Sequence, residues 1–131
     1  MNIEIVVDAN IIISALIGGS SREILFDHRY RFLTTEFTLK EVEKYIPTIA
    51  EKSDTEKRFV KEALELIPLS IKEKKFYEES LSEANDMIGE IDEKDVEILA
   101  LAIATNNYLW SEDKDFEGSG YEKILKTKDF F

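Results

Sequence analysis

Short segments rich in β-branched and aromatic residues alternate along the chain with longer stretches of helical periodicity, and that alternation sets the fold class. Ile3-Glu4-Ile5-Val6-Val7 reads as a first strand ending at Asp8, with the apolar run Ile11 to Ile17 as a buried helical turn or two behind it. Gly18-Gly19-Ser20-Ser21 interrupts that run, and Ser20 or Ser21 is placed to cap a helix through about Asp27. Arg31 to Thr35 is a second strand candidate. Thr38-Leu39-Lys40-Glu41 has capping-box spacing, which predicts a helix from there to about Ile46, before Pro47. Asp54 to Leu66 places Phe59, Val60, Ala63 and Leu64, with Ile67 just beyond, on one helical face, and Pro68 closes it. Leu69-Ser70-Ile71 reads as a brief strand or connector, Lys72 to Met87 as a charged helix, and Asp92 to about Thr105 as the most apolar helix. Tyr108-Leu109-Trp110 is a further strand, followed by an acidic loop from Ser111 to Glu117. Ile124-Leu125 and Thr127 to Phe131 read as a last strand and a helical turn. Strands alternating with helices throughout predict an α/β protein with a parallel sheet covered on both faces.

Composition narrows the chemistry. The 131 residues suit a single domain over 1–131, and 44% hydrophobic with 11% aromatic residues supplies a real core and excludes wholesale disorder. No apolar run is long enough to span a bilayer, and Met1-Asn2-Ile3-Glu4 lacks the basic and apolar stretches of a secretory signal, so a soluble, cytoplasmic protein is expected. Twenty-eight acids against seventeen bases give a net charge of −11, which excludes a polybasic nucleic-acid sheath. It leaves room for a nucleic-acid enzyme whose acids surround divalent ions, because bound cations invert the local field. With no cysteine and His28 alone, disulfides, thiolate zinc sites, cysteine nucleophiles and histidine-rich metal sites all fall away. Gln is absent while Lys, Glu and Ile are abundant, a thermophile-like balance that bears on source and not on reaction.

Four segments carry the acids that matter. Asp8 is the first polar residue after an apolar strand, where parallel sheets build their sites; capping of the next helix is its plainer role. Asp113 and Asp115 stand in the same relation to the strand at Tyr108, with a solvated acidic turn as the alternative. Asp95 falls on the stripe of Leu99 and Ala102, so it faces inward at a helix start, whereas Asp92 is better placed as the cap. Glu41 has a ready structural role in the capping box, and Glu43, two residues on, points roughly to the opposite side. Together, three or four carboxylates with no nitrogen or sulfur ligand make a hard-oxygen site for Mg2+ or Mn2+, suited to hydrolysis of a phosphodiester. An aspartyl-phosphatase would need a second carboxyl where Asn10 stands. A non-catalytic metal-binding or phospho-acceptor module is the remaining alternative.

In order along the chain, Asp8-x-Asn10 before Ile11-Ile12-Ile13-Ser14-Ala15-Leu16, then Glu41, Asp95-x-x-x-Leu99-Ala100-Leu101-Ala102 and Ser111-x-Asp113-x-Asp115-Phe116 resemble the PIN-domain nucleases. The resemblance spans Asp8 to Phe116 and implies a Rossmann-like α/β/α sandwich with a metal-dependent ribonuclease site. It implies Asp8, Asp95 and Asp113 as metal ligands and Glu41 as the acid completing the cluster. Asn10 and Ser111 become supporting groups, Ser111 standing where threonine is more usual, and Asp115 an outer acid. Small members of this family act as toxins of toxin–antitoxin pairs, and others process RNA, so the expected partners are RNA, an antitoxin protein and a second copy of the chain. Arg22, Lys40, Lys44 and Lys114 lie near the acids in sequence and could meet phosphates, though ordinary surface charge is the simpler account of each. Tyr108 and Trp110 could stack on bases, but their place in an apolar strand favours burial, and Phe130-Phe131 could pack on the body or on a second subunit.

Overall fold

In the computed structural model, which describes residues 3–131, five strands form one all-parallel sheet in the order β3-β2-β1-β4-β5. The strands are β1 (Ile3–Val7), β2 (Tyr30–Thr35), β3 (Leu69–Lys72), β4 (Tyr108–Trp110) and β5 (Ile124–Leu125). Successive strand residues point to opposite faces, and here both faces are apolar. Ile5, Val7, Phe32 and Trp110 enter one core, whereas Val6, Leu33 and Leu109 enter the other. The first core is closed by α1 (Ala9–Ile17), α2 (Ser21–Leu25), α3 (Glu36–Lys44), α4 (Ile46–Lys52) and α5 (Lys57–Leu66). The second is closed by α6 (Lys74–Tyr77), α7 (Leu81–Ile88), α8 (Val96–Thr105) and α9 (Lys114–Gly118). The result is an α/β/α sandwich, as expected.

Local chemistry explains most helix ends. Gly18 ends α1 with φ +112°, a left-handed turn that suits glycine, and its N–H bonds the carbonyls of Ser14 and Ala15. Ser20 and Ser21 make no side-chain cap on α2; the Ser21 hydroxyl donates instead to the Ile11 carbonyl, tying α2 to α1.

Three further differences from the sequence reading have identifiable causes. First, α3 is capped by Thr35, not Thr38: the Thr35 hydroxyl accepts from Thr38 N–H at 2.8 Å. Thr35 ends β2 with extended backbone, so the first available hydroxyl takes the cap and Thr38 falls inside the first turn. Second, Pro47 opens a helix instead of following one, sitting in the first turn of α4 where a missing N–H costs nothing. Third, the charged helix expected over 72–87 is broken into α6, a 3₁₀ turn at Glu78–Ser80 and α7. The break centres on Tyr77, which is buried and donates its hydroxyl to Glu97 Oε1 at 2.6 Å. The expected acidic loop after β4 is shortened by α9.

Candidate active site

From β1 the strands run outward through β2 to β3, then the chain crosses to place β4 on the other side of β1. That reversal opens a crevice at the carboxyl ends of β1 and β4. Val7 is paired with Trp110, and the Asp8 N–H continues the ladder to the Trp110 carbonyl at 3.3 Å. Asp8 and Ser111, the next residue of each strand, therefore meet. Asp8 is only 4% exposed. Its Oδ1 accepts from Ile11 N–H at 3.1 Å, capping α1, and its Oδ2 accepts from the Ser111 hydroxyl. The capping role and the crevice position are both realised by the one side chain.

Three more elements bring acids to the same cleft, an open space of about 200 Å³ lined by Asp8, Glu41, Asp92, Asp95 and Asp113. Asp113 caps α9 through Asp115 N–H at 2.9 Å, while its own N–H donates to the Ser111 hydroxyl oxygen at 3.0 Å. Glu41, released from any capping box, lies mid-helix on the cleft side of α3 and pairs with Lys44 at 3.0 Å. Glu43 lines a different groove, with Leu39 and Leu64. Asp92 accepts from Lys94 N–H at 3.0 Å to cap the 3₁₀ turn at Glu93–Asp95, and Asp95 at the end of that turn faces in. Asp95 Oδ2 is buried and has no hydrogen-bond partner among the described residues.

These placements set the electrostatics. Burial pushes the Asp8 carboxyl up to about 6, against the hydrogen bonds from Ser111 and Ile11, and the nearby Asp113 adds to the rise. Asp95 is raised further, to about 7, first by burial and then by repulsion from Asp92, Asp113, Asp8 and Asp115. Asp115 is also raised, by desolvation and by Asp113 and Asp92. Such a cluster carries more negative charge than Lys44 and Lys94 offset. A divalent cation, the group implied by the resemblance, fits the residues present on two counts. The donors are all carboxylate oxygens, and one buried oxygen has no other partner. Asp92, Asp95 and Asp115 each offer an oxygen within 4.8 Å of the others, so Asp92 and Asp115 stand closer to the heart of the cluster than the sequence suggested.

The remaining candidates separate cleanly. Asn10 lines the cleft but makes no side-chain hydrogen bond among the described residues. Arg22 donates to the Ala15 and Leu16 carbonyls, at 2.9 and 3.3 Å, so it closes the end of α1. Lys40 and Lys114 are exposed and do not line the cleft, whereas Lys94, unremarked in the sequence, does. Trp110 is buried, as its strand implied; Tyr108, 46% exposed, is not. Phe130 packs on the body against Trp110 and Tyr30, and Phe131 is exposed. Phe37 and Tyr45 also line the cleft. Their four-residue spacing either side of Glu41 was the available signal.

A family model described as a PIN domain matches residues 6–129. Among solved structures, the chain is similar to VapBC2 from Rickettsia felis, solved bound to a DNA fragment from its promoter. The TM-score there is 0.69 at 16% identity, over 95% of this chain and 98% of that one. It is also similar to a toxin–antitoxin complex from Klebsiella pneumoniae, with a TM-score of 0.68 at 18% identity, over 92% and 94% of the two chains. At those identities the likeness is one of fold. A search of curated proteins finds no significant sequence match.

Proposed function

This chain belongs to the PIN-domain family, and on that premise we propose that it is a Mg2+- or Mn2+-dependent endoribonuclease that hydrolyses RNA phosphodiester bonds as the toxin of a toxin–antitoxin pair. The observation that carries the chemistry is the convergence of Asp8, Glu41, Asp92, Asp95 and Asp113 on one cleft, with Asp95 Oδ2 buried and unpartnered.

Asp8, Asp95 and Asp113 would hold the cation, with Glu41 completing the acidic wall and Asp92 and Asp115, each with an oxygen within 4.8 Å of one on Asp95, as further carboxylates able to reach it. A cation held there supplies Lewis acidity, drawing charge from a phosphoryl oxygen and acidifying water. The protein's own groups prepare that chemistry. The Ser111 hydroxyl fixes the Asp8 carboxylate, and the Asp113 N–H fixes the Ser111 oxygen in turn. Asn10 stands at the rim as a neutral polar group, and Lys94 is the cationic side chain available to a phosphate. Burial of Asp8 under α1 and β4 keeps water from relaxing its position.

The toxin role is supported by fold likeness to the Klebsiella pneumoniae toxin–antitoxin complex, alongside VapBC2. An antitoxin partner and a homodimer are part of this proposal, and exposed Phe59, Leu66, Ile71 and Phe76 offer apolar surface for contacts of that kind. No helix among the described residues is long and apolar enough to cross a membrane.

The test is cleavage of end-labelled single-stranded RNA with Mg2+, with Mn2+ and with EDTA, by the wild type and by Asp8→Asn. Cutting that needs metal and disappears in the variant supports the proposal. A folded protein that cuts nothing with either ion returns the chain to the non-catalytic metal-binding module.

A further inference from the structure

The cleft that gathers the acids is also lined by apolar and aromatic side chains. Along α3, Phe37, Glu41 and Tyr45 follow one another at four-residue spacing, and all three line the cleft. Four residues advance a helix by about 6 Å, so one ring stands a turn before the acid and the other a turn after it. Phe37 is half-buried, while Tyr45 is 48% exposed at the point where α3 gives way to α4. Ile13, from α1, continues the same wall.

We propose that Tyr45 is a substrate-binding residue that selects unpaired over paired strands, its ring stacking on an unpaired nucleobase beside the phosphate that Glu41 and the aspartates address. The inference rests on the nuclease reading above and deepens it. Two observations single out a base as the occupant. The chain carries a net charge of −11, Lys94 is the cation lining the cleft, and Lys44 is drawn to Glu41. Phosphate contacts are thus too few to hold a strand by counterion release alone. Stacking on a half-exposed ring needs no positive charge and accepts any base. The wall is also continuous with the acidic floor, so a nucleotide reaching the acids lays its base against α3. A duplex hides its base faces within the stack and cannot use the ring.

The experiment compares wild type, Tyr45→Ala and Tyr45→Trp. Because Tyr45 is half exposed and makes no side-chain hydrogen bond among the described residues, the alanine variant should fold. For single-stranded RNA in Mn2+, Tyr45→Ala should raise KM about ten-fold, the loss of one stacked base, with kcat much less affected. Tyr45→Trp should restore KM. Calorimetry with Mn2+ alone should give the same affinity for all three proteins, showing that the acids are undisturbed. In Ca2+, a single-stranded oligoribonucleotide containing a fluorescent purine analogue should be quenched on binding wild type and not on binding Tyr45→Ala, and a fully paired duplex should bind more weakly. An unchanged KM in Tyr45→Ala, or equal binding of duplex and single strand, overturns the inference while the nuclease stands. Loss of a co-purifying protein from Tyr45→Ala with KM unchanged overturns it too, assigning the ring to a protein contact. If folded wild type neither binds nor cuts RNA, the nuclease reading fails and takes this inference with it.

Discussion

The Ser111 hydroxyl donates to Asp8 Oδ2 across 103 positions of sequence, and the same Ser111 oxygen accepts the Asp113 N–H at 3.0 Å. One small side chain therefore ties together two acids that like charge would drive apart. Ser111→Ala should keep the fold, because the strand ladder around it is made by backbone: Ser111 N–H donates to the Leu125 carbonyl at 3.0 Å. Mn2+ affinity should fall roughly 10- to 100-fold, as happens when a group orienting a ligand is lost. Ser111→Thr, which keeps the hydroxyl, should remain near wild type. Calorimetric titration of the three proteins checks this, and equal affinities would show that Asp8 is held without Ser111.

The raised carboxyls give the metal-free protein an unusual pH response. Asp8, at about 6, and Asp95, at about 7, bind protons more tightly folded than unfolded, where each lies near 3.8. Their contribution to folding stability is greatest at and below pH 4 and is lost as pH rises through 6 and 7. In EDTA, melts of wild type should show this contribution as a higher Tm near pH 5 than near pH 8. Asp8→Asn should flatten the response and stabilise the metal-free protein at pH 8, by on the order of 2 kcal/mol. The same variant should abolish cleavage. A variant that loses both activity and stability at pH 8 would mean that Asp8 is chiefly a helix cap.

Glu41 and Glu43 make a paired test. Glu41 lines the acidic cleft and Glu43 a groove beside Leu39 and Leu64. Glu41→Gln should lower kcat about 10²-fold or more, in line with the loss of a charge from a metal-dependent site, and leave stability within about 1 kcal/mol of wild type. Glu43→Gln should cleave like wild type. Equal activity in both variants removes Glu41 from the site.

The C-terminal turn clasps the loop that carries the site. Thr127 N–H donates to Glu112 Oε2 at 2.6 Å, the Trp110 indole donates to Thr127 Oγ1 at 3.1 Å, and Lys126 pairs with Glu117 at 2.9 Å. Phe130 covers Trp110, ring centres 4.6 Å apart. Phe130→Ala should cost about 1–3 kcal/mol and shift the emission of the single tryptophan to the red. Unchanged emission would show that the indole is shielded without Phe130.

The strands and the acids at their ends were legible in the sequence because both rest on local pattern. β-Branched runs buried on two faces announce themselves, and the first carboxylate after such a run falls at the crevice whatever the rest of the chain does. The preference for Asp95 over Asp92 rests on its alignment with Leu99 and Ala102, yet α8 is buried at every position from Ile98 to Ala102 and both aspartates line the cleft. The cap of α3 was not legible, since Thr35 and Thr38 offer the same hydroxyl and only the end of β2 decides between them. With the cap misplaced, Glu41 seemed to have a structural use that it lacks. The broken helix around Tyr77 depended on a partner, Glu97, twenty positions away. No window of local periodicity contains that contact.

The pairing of β1 with β4 has a consequence for synthesis. Asp8 leaves the exit tunnel 103 positions ahead of Ser111, with Asp113 and Asp115 close behind Ser111. Until β4 slots in beside β1, Asp8 has neither the Ser111 hydroxyl nor Asp113 beside it, although Glu41, Asp92 and Asp95 have already been made. A chain stopped before β4 lacks Ser111 and Asp113 and leaves the cleft incomplete. Completion of the cleft thus waits on a pairing between distant segments and not on any local folding step.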